Sequence, residues 1–128
     1  MAAHGDTVAV LVVDDQELFR DITRTLIAMM PGWRVVGEAA SGEEGVALAE
    51  QVRPTMVLMD IHLPGIDGID GIEATRRIVA TDPTVTVLLM STYAVEDLPA
   101  DVGNCGAAGY ARKDDLTPAF LERFTGRG

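Results

Sequence analysis

The chain has 128 residues, the size of one compact domain, and its 48% hydrophobic and 23% charged content predicts a globular fold. Its net charge of -10 would repel a phosphate backbone, so we expect no direct nucleic acid binding by this domain. The longest apolar runs have about six residues, far fewer than a membrane-spanning helix needs, so no membrane partner is expected. No secretory signal is present and Cys105 is the single cysteine, which favours the cytoplasm.

The first half of the chain predicts two strands and two helices. The continuous apolar run Val8 to Val13 is typical of a strand buried on both faces of a parallel sheet. A helix follows, and its apolar stripe consists of Leu18, Ile22, Leu26 and Met29 at spacings of three and four. After the Pro31-Gly32 break come a weaker strand, Arg34 to Glu38, and a helix, Glu43 to Val52.

The second half continues the alternation. Two more continuous runs, Met56 to Met59 and Val85 to Met90, flank a helix over Ile69 to Ala80. A short helix from about Ala94 to Val102 must accommodate Pro99, and a weak strand over Ala107 to Ala111 follows it. The last helix has one apolar face, with Pro118 in its first turn and with Leu116, Phe120, Leu121 and Phe124 on that face.

Five strands that alternate with five helices predict an α/β sandwich with helices on both faces of a parallel sheet. The two weak strands, Arg34 to Glu38 and Ala107 to Ala111, are expected near the sheet edges. In such sheets ligands bind beyond the carboxyl ends of the strands. The functional residues are therefore sought where the strands end.

Polar side chains follow four of the predicted strands. Asp14-Asp15 follow the first, Asp60 the third, Ser91-Thr92 the fourth and Lys113 the fifth. Carboxylates brought this close repel one another and require a raised pKa or a cation, and hard oxygen ligands suit Mg²⁺. Beside a metal, one carboxylate can act as a nucleophile on phosphorus, while an ammonium and a hydroxyl stabilise the transferred group.

Lys113 is the only lysine among ten basic residues, and it stands at this predicted site. A lysine offers phosphate a compact point charge in place of the planar fork of arginine. Its position therefore supports a phosphate-binding role.

Four motifs, VLVVDDQELFR, VLMDIHLPGIDG, VLLMST and GAAGYARK, together resemble a response-regulator receiver domain over about Thr7 to Phe124. The resemblance implies a doubly wound, flavodoxin-like α/β fold with a five-stranded parallel sheet in the order 2-1-3-4-5 and five helices. It also implies one receiver domain over residues 7–125, with short tails at 1–6 and 126–128.

The resemblance further implies that Asp60 is the phosphoacceptor. Asp15 and Asp60 would bind Mg²⁺ directly, Asp14 would act largely through water, and the backbone carbonyl of His62 would complete the protein ligands. A lone loop histidine has no partner at ligand spacing, so only the backbone of His62 is expected to take part.

In the same way, Ser91 corresponds to the switch hydroxyl, Lys113 to the phosphate-contacting lysine and Tyr110 to the switch aromatic. A domain of this kind is a signalling module and not an enzyme. Its partners would be a sensor histidine kinase or phosphotransfer protein and an output domain or effector, with a phosphorylation-dependent homodimer as a further state. Phosphorylation would shift an equilibrium at the face formed by the fourth helix, fifth strand and fifth helix.

Simpler interpretations remain open for several of these residues. Asp14 and Glu17 fit a capping box for the first helix, and Asp60 fits an ordinary turn aspartate. Thr92 competes with Ser91 for the hydroxyl role, and either residue fits a helix cap. Tyr110 fits a half-buried core aromatic.

Two other functions compete with the signalling module. An aspartyl-phosphate phosphohydrolase would use the same nucleophile, but His62 occupies the place of the second acid in the D-x-D pattern of those enzymes. A degenerate receiver that binds partners without phosphorylation is the other alternative, and the complete acidic set argues against it.

The sequence departs from the family pattern in two places. Gly65-Ile66-Asp67 is repeated at once as Gly68-Ile69-Asp70, and the extra triplet is expected in the loop or in an added first turn of the third helix. The chain ends at Gly128 without a helix-turn-helix pattern, so either this is a single-domain regulator or its output domain lies outside this sequence.

Overall fold

The computed structural model describes residues 7–63, 70–92 and 103–125, and these contain one five-stranded sheet. All strand pairs are parallel and the order is β2-β1-β3-β4-β5, so the predicted fold class and strand order are confirmed. The two weak strands lie at the two edges, as expected. The strands are β1 (Val8–Val13), β2 (Trp33–Ala39), β3 (Met56–Asp60), β4 (Thr86–Ser91) and β5 (Gly109–Arg112).

The described ranges contain four α-helices, and a 3₁₀ turn, Lys113–Asp115, follows β5. The helices are α1 (Glu17–Ala28), α2 (Gly42–Val52), α3 (Gly71–Thr81) and α4 (Pro118–Glu122). The helix predicted from Ala94 to Val102 lies outside the described residues, as do both predicted tails and most of the repeated triplets. No helix in the described part of the chain is long and apolar enough to span a bilayer.

The sheet has a hydrophobic core on each face, because successive side chains of a strand point to opposite sides. On one face the odd-numbered residues Leu11, Val57 and Leu89 pack with α2 and α3. On the other face, even-numbered residues such as Val12 and Leu58 pack with α1 and α4. Helices on both faces make the fold doubly wound and leave the carboxyl ends of the strands free for a site.

The apolar stripe predicted for α1 is wrong in its direction. Leu18, Ile22 and Met29 are exposed, and of the predicted stripe Leu26 alone packs against the core. The buried face is offset by about one residue, or about 100° around the helix axis, and contains Phe19, Thr23, Leu26 and Ile27. Met30, just after the helix, is buried as well.

The helix starts follow the chemistry of their caps. In α2, the N-cap Ser41 Oγ accepts from Glu44 N, while Glu44 Oε1 accepts from the N–H of Ala40, the residue before the N-cap. Pro118 occupies the first turn of α4, as predicted. The capping box considered for Asp14 and Glu17 is wrong, since Gln16 is the N-cap of α1 and makes no side-chain cap there.

Helix α3 begins directly after the repeated triplets and close to the end of β3. Asp70 is its N-cap and accepts a hydrogen bond from Glu73 N, 2.9 Å away. A Cβ atom on Gly71 would overlap the carbonyl oxygen of Asp60, so only glycine allows this approach. The buried face of α3 starts at Gly71 and Ile72, and the repeat leaves it intact.

Candidate functional site

Three carboxylates meet at the carboxyl edge of the sheet. Asp14 follows β1, Asp60 is the last residue of the neighbouring β3, and oxygen atoms of Asp14, Asp15 and Asp60 all lie within 4.8 Å of one another. Asp14 and Asp60 are buried, whereas Asp15 is exposed. The acidic set predicted from the strand ends is therefore brought together.

Lys113 places its ammonium among these carboxylates. Its Nζ atom lies 2.7 Å from Asp14 Oδ2 and 3.6 Å from Asp60 Oδ2, and the lysine side chain is only 8% exposed. Lys113 is the residue that directly follows β5. Burial strengthens both attractions relative to the same pairs in water.

Backbone donors orient both buried carboxylates. Asp60 Oδ1 accepts from His62 N at 3.0 Å, and Asp14 Oδ1 accepts from Gln16 N at 2.9 Å. In each residue the other oxygen is the one that lies close to Lys113. The side chain of His62 is exposed, and its backbone N–H is what orients Asp60.

Burial raises the pKa of the Asp60 carboxyl above its ordinary value. The charges of Asp14 and Asp15 raise it as well, whereas the His62 N–H and the Lys113 ammonium lower it. A negatively charged Asp60 is thus held at an electrostatic cost, which a cation bound among the three acids would relieve.

Ser91 and Thr92, the two candidates for the switch hydroxyl, differ in burial. Ser91 is the last residue of β4 and is buried, whereas Thr92 is exposed. Ser91 pairs with Arg112 on β5, the residue before Lys113. Tyr110 is 43% exposed on edge strand β5, so its side chain is not part of the core.

Sequence reasoning missed three residues at this edge. Gln16 Oε1 accepts a hydrogen bond from Lys113 Nζ at 3.0 Å, and the Phe19 ring lies below the same ammonium, 4.5 Å from it. Arg20 Nη1 donates to the backbone carbonyl of Asp14 at 2.6 Å. All three belong to the start of α1, and the position of Gln16 directly after the two aspartates was the available signal.

The family model for the response regulator receiver domain matches residues 10–123 of this chain. This chain belongs to the response regulator receiver domain family. The match includes β1 from Val10 onward, the other four strands and all residues of the acidic site.

Curated relatives of this receiver domain are response regulators. The chain is 35% identical over 124 residues to response regulator GacA of Pseudomonas aeruginosa, covering 94% of this chain and 56% of GacA. It is 40% identical over 104 residues to response regulator UvrY of Escherichia coli, covering 81% of this chain and 46% of UvrY. The chain thus spans about half the length of the curated relatives that it matches.

Solved structures with this fold include other receiver domains. The signal receiver domain of a NarL response regulator from Mycobacterium tuberculosis has a TM-score of 0.82 at 28% identity, covering 95% of this chain and 99% of that one. A LuxR-family two-component response regulator from Aurantimonas has a TM-score of 0.79 at 35% identity, covering 91% and 81%.

Receiver domains bind Mg²⁺ at an acidic pocket, and the residues of this domain fit such an ion. Mg²⁺ prefers a few carboxylate oxygens together with water and phosphate oxygens. Two buried carboxylates and one exposed carboxylate offer that set, with one side open to solvent.

Proposed function

We propose that Asp60 is the phosphoacceptor of this receiver domain, and that phosphorylation changes the conformation that an output domain or effector reads. The observation that supports this is the convergence of Asp14, Asp15 and Asp60 within 4.8 Å, with the Lys113 ammonium 3.6 Å from Asp60. The donor would be a sensor histidine kinase or phosphotransfer protein, and the setting the cytoplasm.

In the proposed transfer, a carboxylate oxygen of Asp60 forms a bond to phosphorus. The bond between phosphorus and the donor imidazole nitrogen breaks, and that nitrogen keeps the electron pair. The His62 N–H bound to Asp60 Oδ1 fixes the carboxylate plane, which orients the nucleophile. Lys113 would contact the new phosphoryl group. The hydroxyl of the buried Ser91 would act as the switch hydroxyl that moves toward this group.

Asp15 and Asp60 would hold Mg²⁺ directly, with Asp14 through water and the carbonyl of His62 as a further ligand. Such an ion would neutralise charge that develops on the phosphoryl oxygens. Tyr110, exposed on β5, would be the aromatic that responds to phosphorylation.

We also propose that the domain does not turn over phosphate esters as an enzyme. A phosphohydrolase of the D-x-D type needs a second acid two residues after the nucleophile. That position is His62, whose side chain is exposed and whose backbone serves Asp60. A degenerate receiver is disfavoured because the acids and the lysine are all at the site.

The test is intact mass after incubation with Mg²⁺ and a small acyl-phosphate donor. We expect one added phosphoryl group on the wild-type protein and none on Asp60→Asn. Asp114→Asn is the matched control, because Asp114 is highly exposed beside Lys113 and lies outside the acidic cluster. An unmodified wild-type protein, or a modified Asp60→Asn variant, would contradict the proposal.

A further inference from the structure

The peptide that joins Asp14 to Asp15 is held by a side chain from α1. Arg20, in the first turn of that helix, donates from Nη1 to the carbonyl oxygen of Asp14 at 2.6 Å. Its side chain is 18% exposed, so most of it is removed from water. A charge-assisted hydrogen bond of this kind is stronger than one between neutral groups.

This bond acts on both acidic residues because a peptide unit is planar. The Asp14 carbonyl and the Asp15 N–H belong to one rigid plane that also contains the two Cα atoms. The side chains of Asp14 and Asp15 branch from those Cα atoms. A group that fixes the carbonyl therefore restrains the positions of the two Cα atoms from which both carboxylates branch.

The guanidinium of Arg20 is itself oriented by a carboxylate on the sheet. Its Nε atom lies 3.5 Å from Glu38 Oε1, and Glu38 stands on edge strand β2 beside Val12 of β1. The other oxygen of Glu38 accepts from Arg24 Nη1 at 2.7 Å. The guanidinium is thus held between a carboxylate on β2 and the carbonyl at the end of β1.

We propose that Arg20 is a positioning residue for the Mg²⁺-binding acids, an inference that rests on the proposed function. Arg20 is not a ligand, since a guanidinium has donors only and is always charged. It acts through the Asp14–Asp15 peptide and restrains the backbone positions from which the two carboxylates would reach the metal. Partners that orient metal ligands in this way typically change affinity by roughly 10–100-fold when removed.

The sign of the effect separates positioning from simple electrostatics. A positive charge near a cation site repels the cation, so removing Arg20 for its charge alone would tighten Mg²⁺ binding. Removing a group that positions the ligands weakens binding instead. The two roles therefore predict opposite changes in Mg²⁺ affinity for Arg20→Gln.

The experiment is calorimetric titration of Mg²⁺ into wild type, R20Q and R20K at one fixed ionic strength. We expect R20Q to weaken binding about ten-fold and R20K, which keeps the charge but lacks the planar fork, to weaken it less. The matched control is R24Q, one turn further along α1. Arg24 also binds Glu38 but does not contact Asp14, so we expect a change of less than about two-fold.

A second readout follows the rate of Asp60 modification by the acyl-phosphate donor as Mg²⁺ is raised. We expect R20Q to need about ten-fold more Mg²⁺ for half the maximal rate and to reach the wild-type rate at saturation. A merely structural role would lower the folded fraction and raise the Mg²⁺ midpoint only by the inverse of that fraction, which far-UV circular dichroism of the same sample measures.

Wild-type or tighter Mg²⁺ binding by R20Q would overturn the inference. If R20Q does not fold, R20K decides, and wild-type affinity in that variant would overturn it. Failure of the proposed function has a different signature, since the wild-type protein itself would then bind no Mg²⁺ or accept no phosphoryl group.

Discussion

Lys113 is bound to carboxylates before any phosphoryl group arrives. Its ammonium is closer to Asp14, at 2.7 Å, than to Asp60, at 3.6 Å. The Phe19 ring and the Gln16 amide close two further sides of the same group. A phosphoryl group on Asp60 would therefore have to compete with Asp14 for this ammonium.

The raised pKa of Asp60 leads to a prediction about stability. Because its folded-state pKa is above the unfolded value, its ionised form destabilises the fold, and this penalty vanishes as pH falls below about 4. Without Mg²⁺ at pH 7, we expect Asp60→Asn to raise the free energy of unfolding, and we expect this gain to disappear at low pH, where Asp60 is protonated. Urea unfolding at pH 7 and at low pH measures the difference.

In the same measurement Asp114→Asn should leave stability unchanged, since Asp114 is mostly exposed. A less stable Asp60→Asn variant at pH 7 would show that its contacts with His62 and Lys113 outweigh burial.

The acids and the lysine were predictable from sequence because each stands at a strand end, and parallel strands bring their ends together. Gln16, Phe19 and Arg20 were not. Their roles depend on how α1 is rotated about its axis, and residue spacing gives that angle only when one face is clearly apolar.

Helix α1 shows why its rotation about its own axis was not predicted from residue spacing. Its exposed set and its buried set are both partly apolar and are offset by about one residue. Thr23 stands in the centre of the buried face and interrupts its pattern, although it is fully buried. The charged residues Arg20 and Arg24 also lie beside the buried face, bound to Glu38.

Two isoleucines on α1 test this orientation. We expect Ile27→Ala to lower the free energy of unfolding by about 2–5 kcal/mol, because Ile27 is fully buried and leaves a cavity. Ile22→Ala should change it by less than about 0.5 kcal/mol, because Ile22 is 54% exposed. Both variants make the same change in one helix, so helix propensity cancels.

Chemical denaturation of Ile27→Ala and Ile22→Ala measures the two losses in the free energy of unfolding. A larger loss in Ile22→Ala than in Ile27→Ala would mean that α1 buries the face first predicted from sequence.

For the whole molecule, the alternation of five apolar runs with helical segments was enough to predict a parallel sheet with helices on both faces, whereas the strand order 2-1-3-4-5 was implied by the resemblance to receiver domains. The continuous runs in β1, β3 and β4 belong to central strands whose two faces are covered. The edge strands were the least certain in extent, since β2 and β5 are half-buried and their patterns are mixed.

The acidic site also links metal binding to the stability of the whole domain. A ligand that binds only the folded state adds free energy by mass action, about 2.7 kcal/mol at 100 times its dissociation constant. We expect Mg²⁺ to raise the free energy of unfolding in this way and to have no such effect on Asp15→Asn. Urea unfolding with Mg²⁺, against sodium salt of equal ionic strength, separates binding from screening. An equal gain in both proteins would place the ion elsewhere.

The contact between Gly71 and the Asp60 carbonyl gives α3 a fixed starting point on β3. Residues Ile72, Thr75 and Ile78 then follow in one buried row, whose phase is set by that start. A change in the number of residues before Asp70 does not change which side chains of α3 are buried, because the position of Gly71 against β3 determines where the helix begins. The connection after β3 is therefore a place where the chain can lengthen or shorten without changing which face of α3 is buried.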